Sequence, residues 1–270
     1  MILCDVKPIL WIALAAALAA VVLVLPFDRS QAAPSEVSMG CAGGLAGARF
    51  ADVYAAFAPL FALHESYAEY LFNGAGVSVP QDLSGACDRF PRALAELHLM
   101  SVTADSGVSR VPNEELVELQ TEADAFCAVY RPVLEGIDEA SVDEVAFLQE
   151  ASDAGLFVRI HELNKRLDDL FEATFDGLTD DEARWCFAVA FTAHTMASRG
   201  SIDRIDEDLT AIFYGSAEAT SVPFPVSAEV SEAMSGLIDL AGGRDLDTEE
   251  ATRAGRWAAI IDAAFVPRSP

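Results

Sequence analysis

Lysine is almost missing from this 270-residue chain: Lys7 and Lys165 are the only two, and arginine supplies the remaining positive side chains. The 43 acidic residues outnumber the 17 basic ones, for a net charge of −26. A surface of that sign repels polyanions, which argues against nucleic acid and anionic lipid headgroups as partners. It attracts cations or a basic protein. The acidic residues are scattered rather than run together, so no acidic tail is expected.

The usual catalytic signatures are missing as well. His64-Glu65 and His161-Glu162 begin a zinc-protease pattern, but four residues after each histidine stand Ala68 and Lys165, where a second histidine is required. The chain has no Glu-x-x-His, as a di-iron bundle needs. It also lacks Cys-x-x-Cys, hence a thioredoxin-type redox pair, and Gly-x-Ser-x-Gly. The stretch from Asp245 to Glu250 faintly resembles a calcium loop but has Arg256 at the twelfth place, where a bidentate acid belongs. "GCAGGLAG", residues 40–47, follows no predicted strand and reads as a flexible lead into the first helix. No cofactor is implied.

Long apolar runs are limited to one. Ile9 to Leu25 is uninterrupted, about the length of a short membrane span or a long signal-peptide core. Lys7 precedes it, so the chain after Leu25 is expected outside the cytoplasmic membrane. Pro26 ends the run, and Ser30-Gln31-Ala32 offers small residues where a signal peptidase cuts. Residues 1–32 are therefore expected to be a signal peptide, with cleavage after Ala32, or a retained anchor. If uncleaved, residues 8–27 are the only membrane contact. The expected location is periplasmic or extracytoplasmic.

What remains is helical in pattern. Apolar residues recur at three and four, and alternation is rare. The fold class is all-α, a multi-helix bundle of about eight helices, predicted at 46–72, 88–104, 113–135, 141–176, 179–199, 201–214, 227–241 and 248–265. Pro59 is expected to kink the first, and Gly155 to break the fourth. Ser141 to Glu144, Thr179 to Glu182 and Asp247 to Glu250 resemble capping boxes. Gly136 and Gly177 stand where helix C-caps are expected. "WCFAVAFTAHTMA", residues 185–197, is apolar nearly all round, so it is expected to be buried at the centre of the domain. A main bundle over 33–215 would be joined by a Pro223- and Pro225-containing extended segment to a helical pair within 216–270.

The four histidines, His64, His98, His161 and His194, all fall on predicted helices. His64 lies on the apolar face of the first, and the plain expectation is a packed, neutral core histidine. If the first two helices run antiparallel, His64 and His98 come to similar heights facing inward, the basis of a metal- or haem-binding alternative. Four cysteines follow the apolar segment: Cys41, Cys87, Cys127 and Cys186. In an exported domain they favour two bridges. Their heights along an up-down bundle choose Cys87–Cys127 and Cys41–Cys186. The functional expectation is an exported, non-enzymatic helical protein acting as a binding, assembly or accessory module with a protein partner in the cell envelope. A hydrolase with a non-local site is the remaining rival.

Overall fold

A computed structural model describes residues 42–74, 79–103, 111–139, 144–178, 181–198, 227–240 and 246–265. Among these are eight helices and no strand. They are α1 (Ala42–Asn73), α2 (Leu83–Thr103), α3 (Asn113–Glu139), α4 (Glu144–Asp153), α5 (Leu156–Gly177), α6 (Asp181–Ser198), α7 (Ala228–Leu240) and α8 (Thr248–Phe265). No helix among them is long and apolar enough to cross a membrane. The apolar run at 9–25, the helix expected at 201–214, the Pro-containing segment and the junction at 215–216 lie outside the described residues. So do Ser141 and Thr179, which head two of the expected capping boxes.

The boundaries have local causes. Gly155 takes a left-handed φ of 84° and separates α4 from α5. Tyr130 of α3 closes that break by donating its hydroxyl to the Ala154 carbonyl at 3.0 Å. Asp247 caps α8: one of its oxygens accepts from the backbone N–H of Glu249 and Glu250 at 2.9 and 2.8 Å. Glu250 reaches back to the Asp247 N–H at 3.2 Å, completing a capping box. The residues that faintly resembled a calcium loop thus start a helix. Gly136 does not end α3, which runs on to Glu139. That extra turn has a use, because Asp138 accepts from the backbone N–H of Leu83 and Ser84, both at 2.8 Å. The N-terminus of α2 is therefore capped from another helix, and α2 begins five residues earlier than periodicity alone predicts.

The glycine-rich lead is also a correction. It is helical from Ala42, and Gly43 and Gly47 lie against α6. A Cβ on Gly43 would collide with the Ala183 carbonyl, and one on Gly47 with the Phe187 carbonyl. Spacing by four puts both on one face, the device that lets two helix backbones approach closely.

Helix α1 is the hub, touching α2, α5, α6 and α8. The larger apolar cluster joins α1 to α5 with Phe187 and Phe191 of α6. A second cluster joins α6 to α7 and α8 through Trp185, Val189, Ala233, Leu237, Ala254 and Ile261. Residues 185–193 of α6 are buried without a break. Cys87 and Cys127 form a disulfide between α2 and α3 with Cα atoms 5.3 Å apart. Cys186 is disulfide-bonded too; its expected partner, Cys41, lies outside the described residues.

Candidate functional site

The four histidines end in three different environments. His194, on an otherwise apolar helix, is the most constrained. Its Nδ1 faces Asp262 Oδ1 of α8 at 2.7 Å, and its Nε2 faces Asp52 Oδ1 of α1 at 2.8 Å. The imidazole and both carboxylates are largely covered, with 25%, 33% and 25% of the His194, Asp52 and Asp262 side chains exposed. The hydrogen bonds to Asp262 and Asp52 outweigh burial and push the His194 pKa up to about 10. The ring is therefore an imidazolium at neutral pH. For Asp52, burial pushes upward. The hydrogen bond and charge of His194, with Arg49 behind them, outweigh it and hold the carboxyl below its ordinary 3.8. Arg49 contacts Asp52 at 3.1 Å and Glu96 of α2 at 3.3 Å. The chain Glu96–Arg49–Asp52–His194–Asp262 thus ties α2, α1, α6 and α8.

Chemically this is a clamp. A general base needs a free nitrogen lone pair, and both His194 nitrogens carry protons shared with carboxylates. The groove beside it, between α1 and α2, is shallow and of mixed charge, lined by Asp52, Ala56, Arg89, Arg92 and Glu96. The sequence placed His194 on its helix but did not reveal the clamp. Asp262 and Asp52 are 68 and 142 residues away.

His64 and His161 form the second environment, on the antiparallel seam of α1 and α5. That seam starts at Tyr67 stacked on Phe157, with centroids 4.2 Å apart, and ends where Phe50 meets Phe171 at 5.5 Å. Between them the His64 and His161 rings lie 5.7 Å apart and 21° from parallel. Further along, the Tyr54 hydroxyl donates to Asp168 at 2.7 Å, and Asn164 donates to the other Asp168 oxygen at 2.9 Å. His64 is half-buried, and its Nδ1 is buried without a hydrogen-bond partner. Burial first, then the neighbouring His161, lowers its pKa below 6.5, so the ring is neutral at pH 7. His161 is exposed.

His98 is alone. Phe57 packs on Phe90 at 4.9 Å and Arg49 meets Glu96, which fixes the antiparallel register of α1 and α2. In that register His98 stands level with about residue 48, so His64 is about 24 Å away along the axis. The alternative His64–His98 pairing is therefore not formed. Level helix ends would bring the two histidines together, but the aromatic contact and the earlier start of α2 set a different register. Among the described residues no three His, Cys, Asp or Glu side chains are grouped so as to hold a metal ion. Compared with known proteins, the chain matches no protein family, no curated protein and no solved structure.

Proposed function

We propose that this chain is an exported, non-enzymatic helical module that works by binding or assembly in the cell envelope. The clamp carries the reading. The most elaborate polar constellation among the described residues spends both nitrogens of its histidine on carboxylates, which fixes helices and leaves no base for chemistry. Export is supported by the Ile9–Leu25 run behind Lys7 and by a Cys87–Cys127 disulfide, a bond that persists in oxidising compartments. Protein partners are favoured over polyanions by the net charge of −26. Exposed apolar side chains, among them Phe72 at 86% and Leu99 at 64%, are places where a partner would gain contact area.

The test is photo-crosslinking in cells from positions 72, 99, 129 and 158, combined with a C-terminal alkaline-phosphatase fusion. The reading expects an active fusion and one recurrent protein adduct from one or more of these positions. A silent fusion would remove export, and no adduct from any of the positions would remove assembly.

A further inference from the structure

We propose that His64 and His161 form an open site for one borderline divalent metal ion, with Cu2+ bound most tightly and Zn2+ or Ni2+ less so. The observation is the pair itself: two imidazoles from different helices, ring centres 5.7 Å apart, with a His64 nitrogen committed to no hydrogen bond. Imidazole nitrogen sits about 2.0–2.1 Å from such a metal. Adding about 1.1 Å from nitrogen to ring centre, two ligated rings stand about 5.2 Å apart at a tetrahedral angle and about 6.4 Å apart when opposed. The observed separation falls between these values, so the spacing of the ring centres suits a shared metal. The rings lie 21° from parallel and the His64 Nδ1 is buried, so both rings must turn about their side-chain bonds to aim a nitrogen at the metal, and exposed His161 has the most freedom to do so.

The neighbours agree with this reading. A buried nitrogen without a partner is unfavourable, and a ligand that takes its lone pair relieves it. Phe61 and Phe157 flank His64 at 6.2 and 6.4 Å and offer no competing hydrogen bond. Glu65, next to His64, adds negative charge near the ring. The overall charge of −26 raises the local cation concentration. Imidazole ligands suit copper, nickel and zinc, and the ordinary affinity order puts Cu2+ first. With two protein ligands, water completes the coordination, which makes the site exchangeable rather than structural. The inference goes beyond the binding-module reading and stands without export or a protein partner.

The experiment is titration of the full-length chain, in mild detergent at pH 7.5, with Cu2+ and separately Zn2+. Calorimetry gives stoichiometry, and electron paramagnetic resonance counts the nitrogens on copper. The expected result is one equivalent bound, with two imidazole nitrogens in the copper spectrum. His161→Ala, a change at an exposed side chain, should weaken binding at least about tenfold and leave one nitrogen, with circular dichroism unchanged. His64→Gln should do the same, and His98→Ala should change nothing. No stoichiometric binding, or binding as tight in His161→Ala as in the parent, would overturn the proposal.

Discussion

A histidine held between two carboxylates stabilises a fold only over a defined pH range. The His194 pKa is raised from 6.5 to about 10, so its contribution is complete below 6.5 and is lost as pH rises through about 10. Asp52 is shifted the other way, so its contribution is present above 3.8 and is lost as pH falls through its lowered folded value. The clamp is therefore strongest between 3.8 and 6.5. His194→Gln removes two charge-assisted hydrogen bonds and leaves two largely covered carboxylates without their shared cation. It should cost about 2 to 3 kcal/mol near pH 6. The difference in Tm between wild type and variant should shrink steadily toward pH 10. A difference that does not vary with pH would show the clamp to be ordinary packing. At His64 the opposite is expected. Replacing its unpaired nitrogen by an apolar group of similar size should be nearly neutral, so His64→Leu should shift the denaturation midpoint by less than about 1 kcal/mol equivalent. Of these two sites the sequence disclosed both histidines, and a face for His64, but not their partners. A face follows from local periodicity, whereas a partner depends on register, and register was decided by contacts such as Phe50 on Phe187 and Tyr67 on Phe157.

At the scale of the helix, most elements were legible because their signals are local. The Asp247 capping box, the break at Gly155 and the spacing of Leu156, Ile160, Leu163, Leu167 and Leu170 are each contained within a few turns. Two features misled because they answer to other helices. Gly43 and Gly47 look like a linker in isolation and become a packing stripe only against Ala183 and Phe187. Gly136 looks like a stop, yet α3 continues so that Asp138 can cap α2. Each makes a prediction. Gly47→Ala would improve helix propensity by about 1 kcal/mol in isolation. Here the added methyl meets a backbone carbonyl that cannot turn aside, so a net destabilisation of about 1 to 3 kcal/mol is expected in urea titration. A more stable Gly47→Ala protein would mean that α1 and α6 are not so close. Asp138→Ala should cost about 1 to 2 kcal/mol although it lies on a different helix from the one it caps. Loss of amide-exchange protection at Leu83 and Ser84 would locate the effect.

Across the whole molecule the question is whether the two apolar clusters unfold together. Helix α6 belongs to both: Phe187 and Phe191 face the larger cluster, while Trp185, Cys186, Val189 and Ala190 face the smaller. Helices α7 and α8 meet the rest of the described chain mainly through α6, so removing them would expose a helix buried on nearly every side. That exposure is unfavourable by roughly 1.5 to 3 kcal/mol for each large side chain uncovered. Separate unfolding of the C-terminal pair is therefore disfavoured, and a single transition is expected. The tryptophans make this measurable. Trp185 lies in the smaller cluster and Trp257 packs against it, and Trp11 is the third in the chain. In a Trp11→Phe background, fluorescence reports on the smaller cluster alone, whereas far-ultraviolet circular dichroism reports on all the helices. Coincident urea midpoints are expected by the two probes. Removing the Cys87–Cys127 bridge by the paired Cys87→Ser and Cys127→Ser substitutions, which leave the Cys186 bridge in place, should lower both midpoints together, because a cross-link spanning 40 residues constrains the unfolded chain by about 4 kcal/mol in the chain-entropy treatment. A fluorescence transition that precedes the dichroism transition would show instead that α7 and α8 leave first, and that α6 is held by the larger cluster without them.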